Sequence, residues 1–125
     1  RDRFSATVNS LDIIVETPAG DAQQFLSERS ARVMQRLNYL EEPLAVWELD
    51  QRESLAQLRS SPPQRDGERV EYWEVTLHAG DRPSAQIGRY RWEPGMPERE
   101  ALPYPATFGL LGRLADSLAG ALSED

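Results

Sequence analysis

The chain has 125 residues, 21 acidic and 14 basic, for a formal charge of −7; all basic side chains are arginine, there is one histidine, and lysine and cysteine do not occur. This excludes a Schiff-base amine, a phosphate-loop lysine, a thiolate nucleophile and a multi-histidine metal cage. An acidic whole is a poor start for displacing counterions from phosphates, so no nucleic-acid partner is expected, and no apolar run approaches the roughly 20 residues of a transmembrane segment.

This length suits one domain over residues 1–125, which buries about two-thirds of its unfolded surface without disulfides or metals. Hydrophobic content of 39% against 28% charged reads as globular. The chain opens Arg1-Asp2-Arg3-Phe4 without methionine, as a processed form or excised domain would. A cytoplasmic location is the expectation, with export left open because the start is missing.

From Phe4 to Thr17 the pattern is extended. Phe4, Ala6 and Val8 alternate, then Leu11, Ile13 and Val15 alternate on the opposite parity, so a bulge or turn is expected at Asn9-Ser10. Thr17-Pro18-Ala19-Gly20 breaks the element. Asp21 then reads as an N-cap with Gln24 completing a capping box, and Ala22, Phe25, Leu26, Val33 and Leu37 have helical spacing, which predicts a helix over about 22–37. Arg29, Arg32 and Arg36 form a stripe beside its apolar face, read as a solvated flank or, more pointedly, a dock for carboxylates.

Leu44 to Leu49 alternates like a strand. Residues 50–60 are ambiguous: Asp50 with Glu53 imitates a second capping box, while Glu53, Leu55, Gln57 and Arg59 alternate. The strand is preferred, since it provides a hairpin partner through the loop Ser61–Gly67. Val70 to His78 and Ala85 to Trp92 are two alternating runs around a turn at Ala79–Ser84, a hairpin by pattern. The expected register opposes Trp73 to Tyr90, Val75 to Gly88 and Leu77 to Gln86. This makes a core wall of Trp73, Val75, Leu77, Tyr90 and Trp92, and pairs Glu74 with Arg89 and Tyr72 with Arg91 on a polar face.

Pro94, Pro97, Pro103 and Pro105 stiffen a long loop over 94–105, read as a crossover strap or a binding loop. A sparsely charged helix over about 106–122 closes the chain, with Phe108, Leu111, Ala115, Leu118 and Leu122 in one stripe; Gly109, Gly112 and Gly120 would allow close packing. The element order predicts an α+β fold: a single antiparallel sheet of about four or five strands with both helices covering one face.

No nucleophile elbow, phosphate loop, zinc signature or calcium loop is present. His78 has no sequence-adjacent relay partner, and Glu41-Glu42, Glu98 and Glu100 carry no sign of burial that would separate their pKa values. The expectation is a non-catalytic protein-binding, assembly or accessory protein without cofactor or metal, with a protein partner and room for a homo-oligomer. Its surface would join Tyr72, Glu74, Arg89 and Arg91 to the proline-rich loop through Pro94, Pro97 and Tyr104, since arginine and aromatic residues favour interface hot spots. The alternative is a carrier of a small apolar ligand in a cleft between sheet and last helix, lined by Trp47, Trp73, Tyr90, Trp92 and Phe108. A third reading is an enzyme using an Asp or Glu base and an arginine, which needs those groups to converge in a pocket.

Overall fold

The alternation between 69 and 92 folds into a long antiparallel hairpin, and the rest of the sheet is laid down on its two sides. The computed structural model describes residues 5–8, 10–14, 20–40, 42–50, 52–80, 82–102 and 104–123, with backbone alone for 5–8, 10, 104–111 and 123. In chain order the elements are strands β1 (Ser5–Val8) and β2 (Ser10–Ile14), helix α1 (Ala22–Arg36), strands β3 (Leu44–Asp50), β4 (Leu55–Ser60), β5 (Gln64–Asp66), β6 (Arg69–His78), β7 (Ser84–Trp92), β8 (Glu100–Leu102) and β9 (Tyr104–Thr107), and helix α2 (Phe108–Ser123). The fold is α+β, with a seven-stranded antiparallel sheet ordered β2-β7-β6-β4-β3, to which β5 adds on β6 and β8 on β7. β1 pairs β9 in a separate two-stranded ribbon.

The strand count exceeds the expected four or five. The additional short strands β5 and β8 lie in segments 61–67 and 94–105, whose prolines and charges mask any alternation. The parity change near Asn9 marks a change of partner: β1 goes to β9, β2 to β7, and residue 9 itself lies outside the described residues. Segment 50–60 is a turn followed by a strand. Asp50 Oδ1 accepts from the Glu53 N–H at 3.0 Å, so the imitation of a capping box is a side chain-to-backbone turn closing the β3–β4 hairpin.

Asp21 caps α1, accepting from the Gln24 N–H at 3.0 Å. The reciprocal half of the box is not made, because the Gln24 side chain donates to Glu28 instead at 3.2 Å. One face of α1 (Phe25, Leu26, Val33), continued by Leu37, is buried against Leu114, Leu118, Ala121 and Leu122 of α2 and against Ala56, Leu58, Val75, Leu77, Ala85 and Ile87 of the sheet. Both helices thus share one face of the sheet. α2 begins at Phe108 rather than 106, because Ala106 and Thr107 extend β9 along β1. The arginine stripe of α1 runs along the C-terminal end of α2, with Arg29 half-buried there and Arg36 exposed beside it. Arg29 Nε donates to the Leu122 carbonyl at 2.9 Å, and Arg36 lies over Gly120, so positive charge sits at the C-terminal end of α2 where unsatisfied carbonyls favour it. Tyr39 completes the junction, with its hydroxyl 3.1 Å from Ser117 Oγ and its ring under Arg113.

The hairpin register differs by one residue from expectation, and every facing pair changes. Trp73 opposes Arg89, Val75 opposes Ile87, Leu77 opposes Ala85, Tyr72 opposes Tyr90 and Glu74 opposes Gly88. The expected register treats Tyr90 and Trp92 as core markers and leaves Ile87 outward. Fully burying an aliphatic side chain such as Ile87 contributes roughly 1.5–3 kcal/mol. Tyrosine and tryptophan tolerate partial exposure because their polar tips stay wet and their faces stack on guanidinium groups. Ile87 accordingly is fully buried, and Trp92 remains 38% exposed.

Candidate functional site

The observed register decides what the outer face, opposite the helices, presents. Along β6 the even residues Val70, Tyr72, Glu74 and Thr76 point outward and meet Trp92, Tyr90, Gly88 and Gln86 of β7. On the other side of β6, Arg59 of β4 stands opposite Glu74. A bulge between Val46 and Glu48 inserts Trp47 into β3, and its ring lies by Arg59 on the same face. The connection from β7 turns at Glu93–Met96, where Pro94 presets φ, Gly95 supplies φ +97° and the Met96 N–H donates to the Glu93 carbonyl at 3.1 Å. That turn carries Arg99 back over the outer face.

At the centre is Glu74, 3% exposed. Arg59 Nε donates to its Oε1 at 2.8 Å; Arg99 Nη1 donates to Oε1 at 2.6 Å and Nη2 to Oε2 at 2.8 Å. Arg99 also stacks on Tyr90, 3.8 Å from the ring centroid, and donates to the Tyr72 hydroxyl at 3.3 Å. The Arg59 guanidinium lies over the Trp47 ring at 5.2 Å and over the Tyr72 ring at 5.1 Å. Tyr72 and Tyr90 are 6.0 Å apart, centroid to centroid. One buried carboxylate therefore fixes two arginines, and the arginines fix three aromatic rings.

Burial by itself raises the Glu74 carboxyl pKa; hydrogen bonds and charge from Arg99, then Arg59, outweigh it and hold the group below the usual carboxylate range. The same carboxylate pushes the Arg99 guanidinium upward. A folded-state pKa below the unfolded one contributes stability that is fully present above the unfolded value of about 4.3 and is lost as pH falls through the folded value. The stability of the wild type, measured as the denaturant midpoint, is expected to fall below about pH 4.5. In Glu74→Gln that acid limb is expected to be shallower; an unchanged limb would assign the loss to other carboxylates.

With both oxygens engaged by arginines and its proton held off, Glu74 is a poor general base near neutral pH. The convergence of a carboxylate with two arginines serves placement rather than proton transfer. Among the described residues no group of His, Asp and Glu is placed to hold a metal ion, and no helix is long and apolar enough to cross a membrane. Asp12, His78 and Ser84 line a shallow depression of about 220 Å³ on the outer face, but no hydrogen bond joins them into a relay. A larger cavity of about 310 Å³ lies between the start of α1 and the β3–β4 hairpin. Two of its acidic groups are engaged locally, Asp21 as the helix cap and Asp50 in the turn.

The structure divides the residues expected to form the partner surface. Tyr72 and Glu74 share the outer face; Arg89 and Arg91 point to the helix side. There Arg89 stacks over Trp73 at 5.3 Å and forks onto Glu42 at 3.4 and 3.1 Å, and Arg91 pairs with Glu100. Pro94 and Pro97 are exposed in the β7–β8 connection, and the side chain of Tyr104 lies outside the described residues. The expected cleft is not assembled. Trp73 packs against the core below the helices, while Trp47, Tyr90 and Trp92 lie on the opposite face; the Phe108 side chain is outside the described residues. The sequence reading missed Arg59 and Arg99. Arg59 was visible as an outward position of an alternating strand, whereas Arg99 had no signal, because its role depends on a loop folding back 25 residues from Glu74.

On the outer face a groove of about 170 Å³ opens between Trp47, Pro63, Val70 and Tyr72, with Arg59 and Arg65 at its edges. Trp47 is 60% exposed there.

No family model matches this chain, and no curated protein matches it. Among solved structures it is similar to a DUF4468 family protein from Bacteroides ovatus, with 8% sequence identity, covering 93% of this chain and 86% of that one, at a TM-score of 0.47.

Proposed function

We propose that this chain is a non-catalytic binding protein, an accessory or assembly component that receives a protein partner on the outer face of its sheet. The observation that carries the reading is the exposure of Trp47 and Trp92 beside Tyr72 and Tyr90 on strands whose rings and arginines are held by a buried carboxylate. Tryptophan, tyrosine and arginine supply most interface hot spots, and groups already fixed in place lose less conformational entropy on binding. The exposed Pro94 and Pro97 flank this face in the connection that delivers Arg99, so the proline-rich loop belongs to the same surface. Glu74 acts from beneath it as a positioning residue.

The test places a photo-reactive side chain in the protein at natural abundance. With Trp92→p-benzoylphenylalanine, light is expected to produce a discrete cross-linked product that disappears when Trp47→Ala is added. The same reagent at Gln35, exposed on α1, is expected to give none. Equal products from both positions, or none from position 92, would contradict this assignment.

A further inference from the structure

We propose that the groove beside Trp47 is a recognition site for an acidic, extended peptide segment. A carboxylate of the segment would be taken by Arg59 and Arg65, and a neighbouring apolar side chain would sit against Trp47, Pro63 and Val70. This rests on the protein-binding reading and names the partner chemistry of that face.

Three observations carry it. The first is the state of Arg59. Only its Nε is engaged, on Glu74 at 2.8 Å, while the guanidinium lies against the rings of Trp47 and Tyr72. Among the described residues its two Nη groups have no partner, so the guanidinium presents one unused edge beside the groove at fixed orientation. A planar fork with one free edge matches a carboxylate, and these contacts lower the ordering cost a free arginine would bear. The second is charge. Arg59 and Arg99 share the single carboxylate of Glu74, leaving one net positive charge, and Arg65, exposed at the rim, has no ion pair among the described residues. A positive groove on a chain of net charge −7 is a local inversion that selects an anionic partner. The third is the strand edge. β3 ends the strand order, so among the described residues one side of its backbone has no strand partner, and Val46, Trp47 and Leu49 on it are 42%, 60% and 48% exposed. A free edge beside side-chain pockets is how a sheet accepts an extended peptide, with main-chain hydrogen bonds giving affinity and pockets giving choice. A small acid would use the fork but not the edge.

The experiment titrates the protein, followed calorimetrically, with a blocked octapeptide alternating valine and glutamate, its valine–glutamine counterpart, and sodium benzoate. The acidic peptide is expected to bind the wild type, and the glutamine peptide about tenfold more weakly or worse, as loss of a charge-assisted fork implies. Arg65→Ser and Trp47→Ala, both at exposed positions, are each expected to weaken binding about fivefold or more while leaving the circular dichroism unchanged. Binding is also expected to weaken as salt rises. The proposal is overturned by equal affinity for both peptides, by no binding of the acidic peptide, by insensitivity to Trp47→Ala, or by benzoate binding as tightly as the peptide. If photo-cross-links still arise from position 92 while the acidic peptide fails, the protein-binding face stands and only its assigned partner chemistry falls.

Discussion

Glu74→Ala is expected to destabilise the fold by about 3 kcal/mol, the lower end of the range for removing one partner of a buried ion pair. The lower end applies because Arg59 and Arg99 keep 25% and 31% of their side-chain surface in water and regain some hydration. The loss comes from the partners left behind: two guanidinium groups over one sheet face without a counter-charge, and three rings whose arginine partners are no longer anchored. The argument has a checkable corollary. Removing the arginines too, as Glu74→Leu with Arg59→Met and Arg99→Met, is expected to cost less than Glu74→Ala alone, since replacing a whole buried ion cluster by apolar groups is often close to neutral. Chemical denaturation of the two variants at neutral pH measures this; a triple variant weaker than the single one would show that the cluster contributes net stability.

Leu58→Ala is expected to lose about 2–5 kcal/mol, the transfer term of the deleted atoms plus the cavity they leave. Leu58 is fully buried on β4, opposite Val75 of β6 and Val46 of β3, in the layer that both helices cover. Against a typical total of about 5–15 kcal/mol, such a loss is enough to unfold a marginal domain. The same chemical change at Leu49, 48% exposed on the edge strand, is expected to stay within about 0.5 kcal/mol. Equal losses at the two sites would contradict the placement of Leu58 in the core and of Leu49 at its exposed edge.

What the sequence made legible was local. The periodicity of 22–37 and of the last helix and the hairpin over 69–92 each rest on neighbours within one element, where 3.6- and 2-residue periods are strong signals, whereas 50–60 carried both a capping pattern and an alternation and was ambiguous. Register was not legible, since a one-residue slip moves every side chain to the other face and Tyr90 and Trp92 suit either face. That slip carried Arg89 and Arg91 to the helix side and split the expected partner surface and the expected cleft together. The Glu74 cluster joins positions 59, 74 and 99 through two different strand pairings and a returning loop, so no window of sequence contains it. The arginine stripe of α1 was visible, but its destination, the C-terminal end of α2, is a tertiary fact. Proline hid β8 and β9 because it disguises alternation without forbidding short edge pairings.

The placement of Tyr90 and Trp92 on the face of Tyr72 and Glu74 depends on the pairing of β6 with β7. Thr76 and Gln86 are directly opposite on the outer face, so their Cα atoms fall in the range a disulfide spans. The chain has no cysteine of its own, and an introduced pair is therefore the only one that can close. Thr76→Cys with Gln86→Cys is expected to form a disulfide under mild oxidation without loss of the fold, while Thr76→Cys with Ile87→Cys, which oppose each other only in the slipped register, is expected to remain reduced. Closure of the second pair and not the first would return Trp73 to the side of Trp92 and remove the basis for the binding face.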